Sequence, residues 1–272
     1  MTTVRTASKP SGQMPRLALI TEFDGTAFAG FQSQKNGRAV QDVLETALAS
    51  IFKEDIRLTG CSRTDAGVHA RCHLSHADVP FVIPEDKFPL AMNAILPDDV
   101  AVRRAFYVRD DFSARFDIDG KRYVYRIYSA HNPSPLHARY SYFCPYELDM
   151  GAMETAASFF AGEHDFEAFC AVGGSQKTFV RRLNSVTVRK GTCDEMIEIE
   201  VIGEAFLYNM VRIIAGTILE AGMGRIPADS VGDIIGSRER KRAGRTLPAC
   251  GLTLEEVLFD EAGARVRLSP KT

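Results

Sequence analysis

The sequence predicts an α+β fold made of two blocks in succession. Strand patterns and amphipathic helical patterns alternate along it, turn signals separate them, and 272 residues can bury one large core or two ordinary ones. The first block opens with residues 16–23, a strand-like run that ends at the turn pair Asp24-Gly25. Val40, Val43, Leu44, Ala47, Leu48 and Ile51 then recur at helical spacing, which gives a helix with one buried face. Short strands are expected at 56–58 and 100–108, on either side of a loop at Asp65 and a helix near 87–95.

The second block opens with 121–128. There Tyr123, Tyr125 and Ile127 alternate with Arg122, Val124 and Arg126, the signature of a strand with two different faces. A helix is expected at 150–161 with Asp149 at its N-cap, followed by strands at 185–189 and 196–202. A strongly apolar helix should span 206–221 and end at Gly222 and Gly224. The last strand is expected at 252–259, and the division between blocks near 110–120. No internal sequence repeat is visible, and pattern alone does not fix the strand order.

Composition narrows the function classes. With 45% hydrophobic and 25% charged residues the chain is neither disordered nor fibrous. No apolar run approaches the roughly 20 residues of a membrane helix. Residues 1–15 are rich in Ser, Thr, Lys and Pro without an apolar block, so a disordered tail is expected rather than a secretory signal. Six scattered cysteines have neither Cys-x-x-Cys spacing nor histidine partners at zinc spacing, so reduced cytosolic thiols and no metal are expected. The net charge of −2 argues weakly against a nucleic-acid binder. Basic residues are nevertheless concentrated at Arg103-Arg104, Lys121-Arg122, Arg181-Arg182 and along 238–245. An anionic partner would have to be held by a local field rather than by net charge.

The most informative stretch is residues 61–70, Cys-Ser-Arg-Thr-Asp-Ala-Gly-Val-His-Ala. Thr64 and Asp65 favour turns because their short side chains bond nearby backbone. Gly67 permits a tight bend that presents Asp65 outward. Arg63, two residues before it, can hold that carboxylate ionised or grip a phosphate beside it. Taken alone, this is also an ordinary surface turn with an ion pair. Arg212 adds an independent argument, because it is the only charged residue between Phe206 and Leu219 in the apolar helix. A buried guanidinium needs an anionic partner. Asp65 is the best candidate, with snorkelling or a pairing to Glu204 or Glu220 as the alternatives.

The motif at 61–70 resembles the one that carries the catalytic aspartate of TruA-type tRNA pseudouridine synthases, and the resemblance runs in order from residue 16 to 258. It includes Glu22-Phe23-Asp24-Gly25-Thr26-Ala27-Phe28-Ala29-Gly30-Phe31-Gln32, Asn93-Ala94-Ile95-Leu96-Pro97, and Asp110-Asp111-Phe112-Ser113-Ala114-Arg115-Phe116. It continues through Lys121-Arg122-Tyr123-Val124-Tyr125, Phe206-Leu207-Tyr208-Asn209-Met210-Val211-Arg212 and Leu247-Pro248-Ala249-Cys250-Gly251-Leu252. Phe31 stands where the family usually has Trp, and Ser62 where it usually has Gly.

The resemblance implies the pseudouridine synthase fold: two similar halves sharing an extended, mostly antiparallel sheet flanked by helices, with a catalytic cleft between them. On that reading, tails at 1–15 and 263–272 flank a first half at 16–112 and a second at 113–262. It implies isomerisation of uridine to pseudouridine at positions 38, 39 and 40 of the tRNA anticodon stem-loop, without cofactor or metal, by a cytoplasmic homodimer. It implies Asp65 as catalyst, Tyr123 packing on the target base, Arg63 contacting the flipped nucleotide, and Arg212 pairing with Asp65. His69 is then expected to brace the loop, and Asp24 and Asp111 to shape turns. A non-catalytic RNA-binding protein of the same fold is the alternative. A carboxylate hydrolase would call for a second catalytic acid near the first, and none stands out.

Overall fold

The computed structural model describes residues 14–173 and 177–266, so most of the expected tails lies outside the described residues. The fold is mixed α+β, with mainly antiparallel strands flanked by helices. The chain divides into two compact units. One runs to Asp119 and takes up the chain again at Phe259, and the other is Gly120–Leu258.

The first unit contains β1 (Arg16–Phe23), α1 (Val40–Phe52), β2 (Thr59–Gly60), β3 (His69–Asp78), α2 (Phe88–Asn93) and β4 (Val100–Val108). β1 is central, pairing antiparallel with β3 on one side and β4 on the other, while β2 lies on β3. Helix α1 buries Val40, Leu44, Ala47, Leu48 and Phe52, each large side chain contributing roughly 1.5–3 kcal/mol. Its N-cap residue, Ala39, offers no capping side chain. Gly30 and Phe31 instead accept from the first helical N–H groups, those of Val40 and Gln41, at 3.2 and 2.9 Å.

Two expectations need correction here. The apolar residues at 56–58 do not form a strand. Ile56 and Leu58 are buried in the approach to the two-residue β2, so their pattern reports packing rather than a ladder. And β3, ten residues long, was not foreseen. Its buried positions include His69, His73, Ser75 and His76, so it lacks the apolar alternation by which a strand is read.

His76 illustrates how such a residue is kept inside. Its Nδ1 accepts from the Ala114 N–H at 3.1 Å, and the ring packs edge-on against Phe112. Burial, helped by repulsion from Arg16, lowers its pKa below the ordinary 6.5 against the weaker pull of Asp78 and Asp117. Unfolding therefore takes up a proton in mildly acid solution. The stability from neutral His76 is complete above pH 6.5 and is lost as pH falls through the lower folded value. Urea midpoints should accordingly decline below pH 6.5 more steeply in the native protein than in His76→Gln.

The second unit contains β5 (Gly120–Ser129), β6 (Tyr142–Cys144), α3 (Met150–Ser158), β7 (Gly162–Asp165), β8 (Val180–Lys190), β9 (Met196–Gly203), α4 (Met210–Gly222), α5 (Val231–Ser237) and β10 (Leu252–Leu258). The strand order is β10-β5-β9-β8-β7, all antiparallel, with β6 parallel to the end of β5. Helix α3 begins where expected, with the Asp149 side chain accepting from the Ala152 N–H at 3.0 Å. Helix α4 begins four residues later than expected, because Asn209 takes a left-handed conformation, φ 58°, and breaks the turn before it.

One face of β5 carries Tyr123, Tyr125 and Ile127, all buried. Arg122 and Arg126 lie on the other face, where they are consumed by an ion-pair ladder. Arg126 bridges Glu198 and Glu255 at 3.0 and 2.7 Å, and Arg122 bridges Glu200 and Glu256 at 3.1 and 3.0 Å. Cross-strand pairing of opposite charges stabilises the sheet and removes these arginines from the pool able to meet a phosphate.

Candidate active site

Asp65 lies on the loop between β2 and β3, which is locked backbone to backbone against the Asp24–Phe31 segment. The Phe31 N–H donates to Thr64 O at 3.2 Å, and the Gly67 N–H donates to Phe28 O at 3.2 Å. Val68 N–H closes a turn onto Asp65 O at 3.1 Å, with Gly67 at φ 79°. Two glycines permit the approach. A Cβ on Gly25 would stand 2.0 Å from Val68 O, and one on Gly30 would stand 2.5 Å from Thr64 O. The result holds Thr64 buried, Asp65 half-buried and Arg63 exposed. The backbone contacts of the loop thus fix the position from which the Asp65 side chain is presented.

The expected turn and bracing roles can be followed in detail. Asp24 caps a short 3-10 turn by accepting from the Thr26 N–H at 3.0 Å. His69 is buried, with Nδ1 accepting from the Gly25 N–H at 3.1 Å and lying 3.2 Å from Asp24 Oδ1. It therefore ties the far end of the Asp65 loop to the same turn. Asp111 is exposed and pairs with Arg109 at 2.7 Å.

Tyr123 and Arg212 belong to the second unit. Tyr123, on β5, meets Phe206 edge-on at 5.1 Å between ring centroids. Arg212 sits in the first turn of α4. Its Nε donates to Leu247 O at 2.7 Å and its Nη1 to Asn209 Oδ1 at 2.6 Å. These two neutral acceptors fix the guanidinium's plane and direction without neutralising it. Glu220 is engaged with Arg225 and Arg245 at 3.3 Å each, and Glu204 is exposed. The stretch that supplies Leu247 is pressed against α4, since a Cβ on Gly216 would stand 1.9 Å from Arg245 O. Gly244 N–H also donates to Thr217 Oγ1 there at 2.9 Å.

Tyr125 is fully buried, and its hydroxyl donates to Pro248 O at 2.8 Å. Burial raises its pKa strongly, so it stays protonated. Tyr125→Leu should lose mainly stability, since it removes a fully buried ring and the hydrogen bond to Pro248 O. Tyr123→Leu should lose most turnover with the smaller loss of melting temperature. Paired activity and thermal melts separate the two, and the reverse pattern would exchange their roles.

The basic run at 238–245 is less available than its sequence suggests. Arg238 pairs with Asp165 at 3.1 Å, and Arg245 pairs with Glu220 while donating to the Tyr142 hydroxyl at 2.9 Å. Arg240 donates to Gly244 O and Thr246 Oγ1 at 2.9 and 3.0 Å, and burial lowers its pKa. It stitches the segment onto itself. Arg63, Arg182 and Arg242 are exposed. Among the described residues no group of three or more His, Cys, Asp or Glu is arranged to hold a metal.

Arg63 and Asp65 thus share one loop of the first unit, and Tyr123 and Arg212 lie in the second. The sequence reading missed Gly25, Gly30, Phe31 and His73 as scaffold of the Asp65 loop, and Asn209 and Leu247 as the groups that aim Arg212. Leu247 acts through its backbone carbonyl, for which no side-chain signal exists. The glycines carried a usable signal, because both lie in the 22–32 stretch that shares the family resemblance with the Asp65 motif.

A family model described as tRNA pseudouridine synthase matches residues 19–117 and 156–260. A tRNA pseudouridine synthase A from Acetivibrio thermocellus is 46% identical over 246 residues, covering 90% of this chain and 100% of that one. Proteins of the same name from Ruminiclostridium cellulolyticum and Bacillus licheniformis are 43% and 41% identical, each over 90% of this chain and 100% and 99% of their own length.

Proposed function

The chain belongs to the tRNA pseudouridine synthase family, and on that premise we propose that it modifies uridines at positions 38, 39 and 40 of the anticodon stem-loop, with Asp65 as catalyst. It is a tRNA pseudouridine synthase, an isomerase. The observation that carries the site assignment is the scaffolded Asp65 loop, two residues from an exposed arginine.

The chemistry asks little beyond what such a loop offers. The bond from C1′ of the ribose to N1 of uracil breaks, the base turns, and C5 bonds to C1′. The C5 hydrogen leaves as a proton and N1 gains one, so the isomerisation is balanced without an oxidant or reductant. Breaking the glycosidic bond builds positive charge on the sugar, which an ionised carboxylate stabilises or captures. In this reading Arg212 supplies the cation that keeps Asp65 ionised. Tyr123 gives the extruded base an aromatic floor, and Arg63 meets the phosphate of the flipped nucleotide. Arg182 and Arg242, exposed in the second unit, contribute phosphate contacts that position the stem without reading sequence.

The family resemblance supports a cytoplasmic homodimer with one tRNA lying across both subunits. Sedimentation with and without tRNA tests the assembly. Tritium release from C5-labelled uridine in tRNA tests the reaction, since isomerisation displaces that hydrogen. Release from sites 38–40 is the expected result. Tight tRNA binding without release would point instead to a non-catalytic RNA-binding protein.

A further inference from the structure

The ladder between β2 and β3 runs from Thr59–His76 through Gly60–Ser75 and ends with the Cys61 N–H donating to Leu74 O at 2.8 Å. Beyond that point the chain leaves the sheet to form the Asp65 loop. At the point of departure a side chain takes over from the backbone, with His73 Nε2 2.9 Å from Ser62 O. A carbonyl only accepts, so Nε2 carries the hydrogen.

The ring cannot swing away. It is fully buried and stacked on Phe31 at 3.8 Å between centroids and 20° between planes. Gly60 lies hard against the pair, because a Cβ there would stand 2.4 Å from Phe31 and 2.8 Å from His73. Phe31, for its part, donates its own N–H to Thr64 O. One stacked pair therefore grips two carbonyls, two residues apart on the same piece of chain. Across that piece Arg63 is exposed, Thr64 buried and Asp65 half-buried. With the Cys61 N–H held on Leu74 O before it and the Gly67 N–H on Phe28 O after it, the Ser62 carbonyl is the anchor that sets how the stretch between them is turned.

We propose that His73 is a positioning residue for Asp65, fixing through Ser62 the face on which the carboxylate is presented. This rests on the reading that Asp65 is the catalytic carboxylate. If His73 were only core filler, phenylalanine would serve as well, since it keeps a flat ring on Phe31 and removes only the donor. Glutamine does the opposite, returning an N–H donor while giving up the ring.

The test compares wild type, His73→Phe, His73→Gln and Asp65→Asn in single-turnover tritium release from C5-labelled tRNA, with tRNA Kd and melting temperature measured alongside. His73→Phe should slow the single-turnover rate about 10- to 100-fold, as small misplacements of a reacting group do. Its Kd for tRNA should stay within about two-fold, because phosphate contacts dominate affinity. His73→Gln should recover most of the rate despite losing the stack. A wild-type rate in His73→Phe, or equal slowing in both variants, would overturn the proposal. Should His73→Phe fail to fold, His73→Gln decides alone: near-native turnover supports the role and strong slowing rejects it. Turnover by Asp65→Asn would instead sink the assignment of Asp65, whatever the histidine variants do.

Discussion

Asp65→Asn should lower pseudouridine formation by roughly 10³-fold or more, while the protein should stay folded and bind tRNA within a few-fold of the native affinity. The amide has the carboxylate's shape, and the backbone anchors of the loop, Gly67 N–H on Phe28 O, Phe31 N–H on Thr64 O and Val68 N–H on Asp65 O, are left in place. What is lost is the negative charge, and with it both nucleophilicity and the power to stabilise cationic character on the sugar. Affinity stays because phosphate contacts dominate it. Tritium release and filter binding on one preparation check both halves. Appreciable turnover would remove Asp65 from its role.

Gly25→Ala should damage the same site from the opposite side of the contact. The new Cβ would stand 2.0 Å from Val68 O, and the intruding neighbour is backbone that cannot rotate aside. The Asp24–Phe31 segment and the Asp65 loop must separate. Overpacking of this kind costs about 1–3 kcal/mol, and a displacement near 1 Å at a reacting group lowers the rate about 10²-fold. Gly236→Ala is the control, since a Cβ in that helix meets nothing within 4 Å. It should be neutral or slightly stabilising. Equal activity in the two variants would mean that the loop does not depend on this approach.

Elements with a one-sided apolar pattern were legible from the residues alone. β1, α1, β4 and α4 lie within a few residues of where hydrophobic spacing puts them. β3 escaped because its interior is built from histidines and serine whose burial depends on partners distant in sequence, such as Ala114 for His76. Arg212 was legible by contradiction, the one charge between Phe206 and Leu219 in an otherwise apolar stretch. What aims it was not, because a backbone carbonyl at Leu247 has no representation in side-chain chemistry. The basic run at 238–245 misled for the same reason. Whether an arginine faces solvent or stitches its own loop depends on where carbonyls fall, and Arg240 is consumed by them.

The return of the chain to its first unit after Leu258 has a consequence for synthesis on the ribosome. Phe259 stacks with Phe106 and meets Phe112, each at 6.4 Å, and Arg265 pairs with Glu85 at 2.9 Å. The backbone of Arg109 reaches Ala264 O, and Val266 N–H reaches Tyr107 O, at 3.0 and 3.1 Å. None of these contacts can form until residues 259–266 have left the exit tunnel. By then Gly120–Leu258 is already outside and able to complete its own core. Multi-unit chains ordinarily mature from the amino terminus onward. Here that order is inverted: the unit carrying Asp65, although translated first, is sealed last. Until residues 259–266 emerge, a nascent chain holds its Asp65 loop on a unit whose last contacts are still missing.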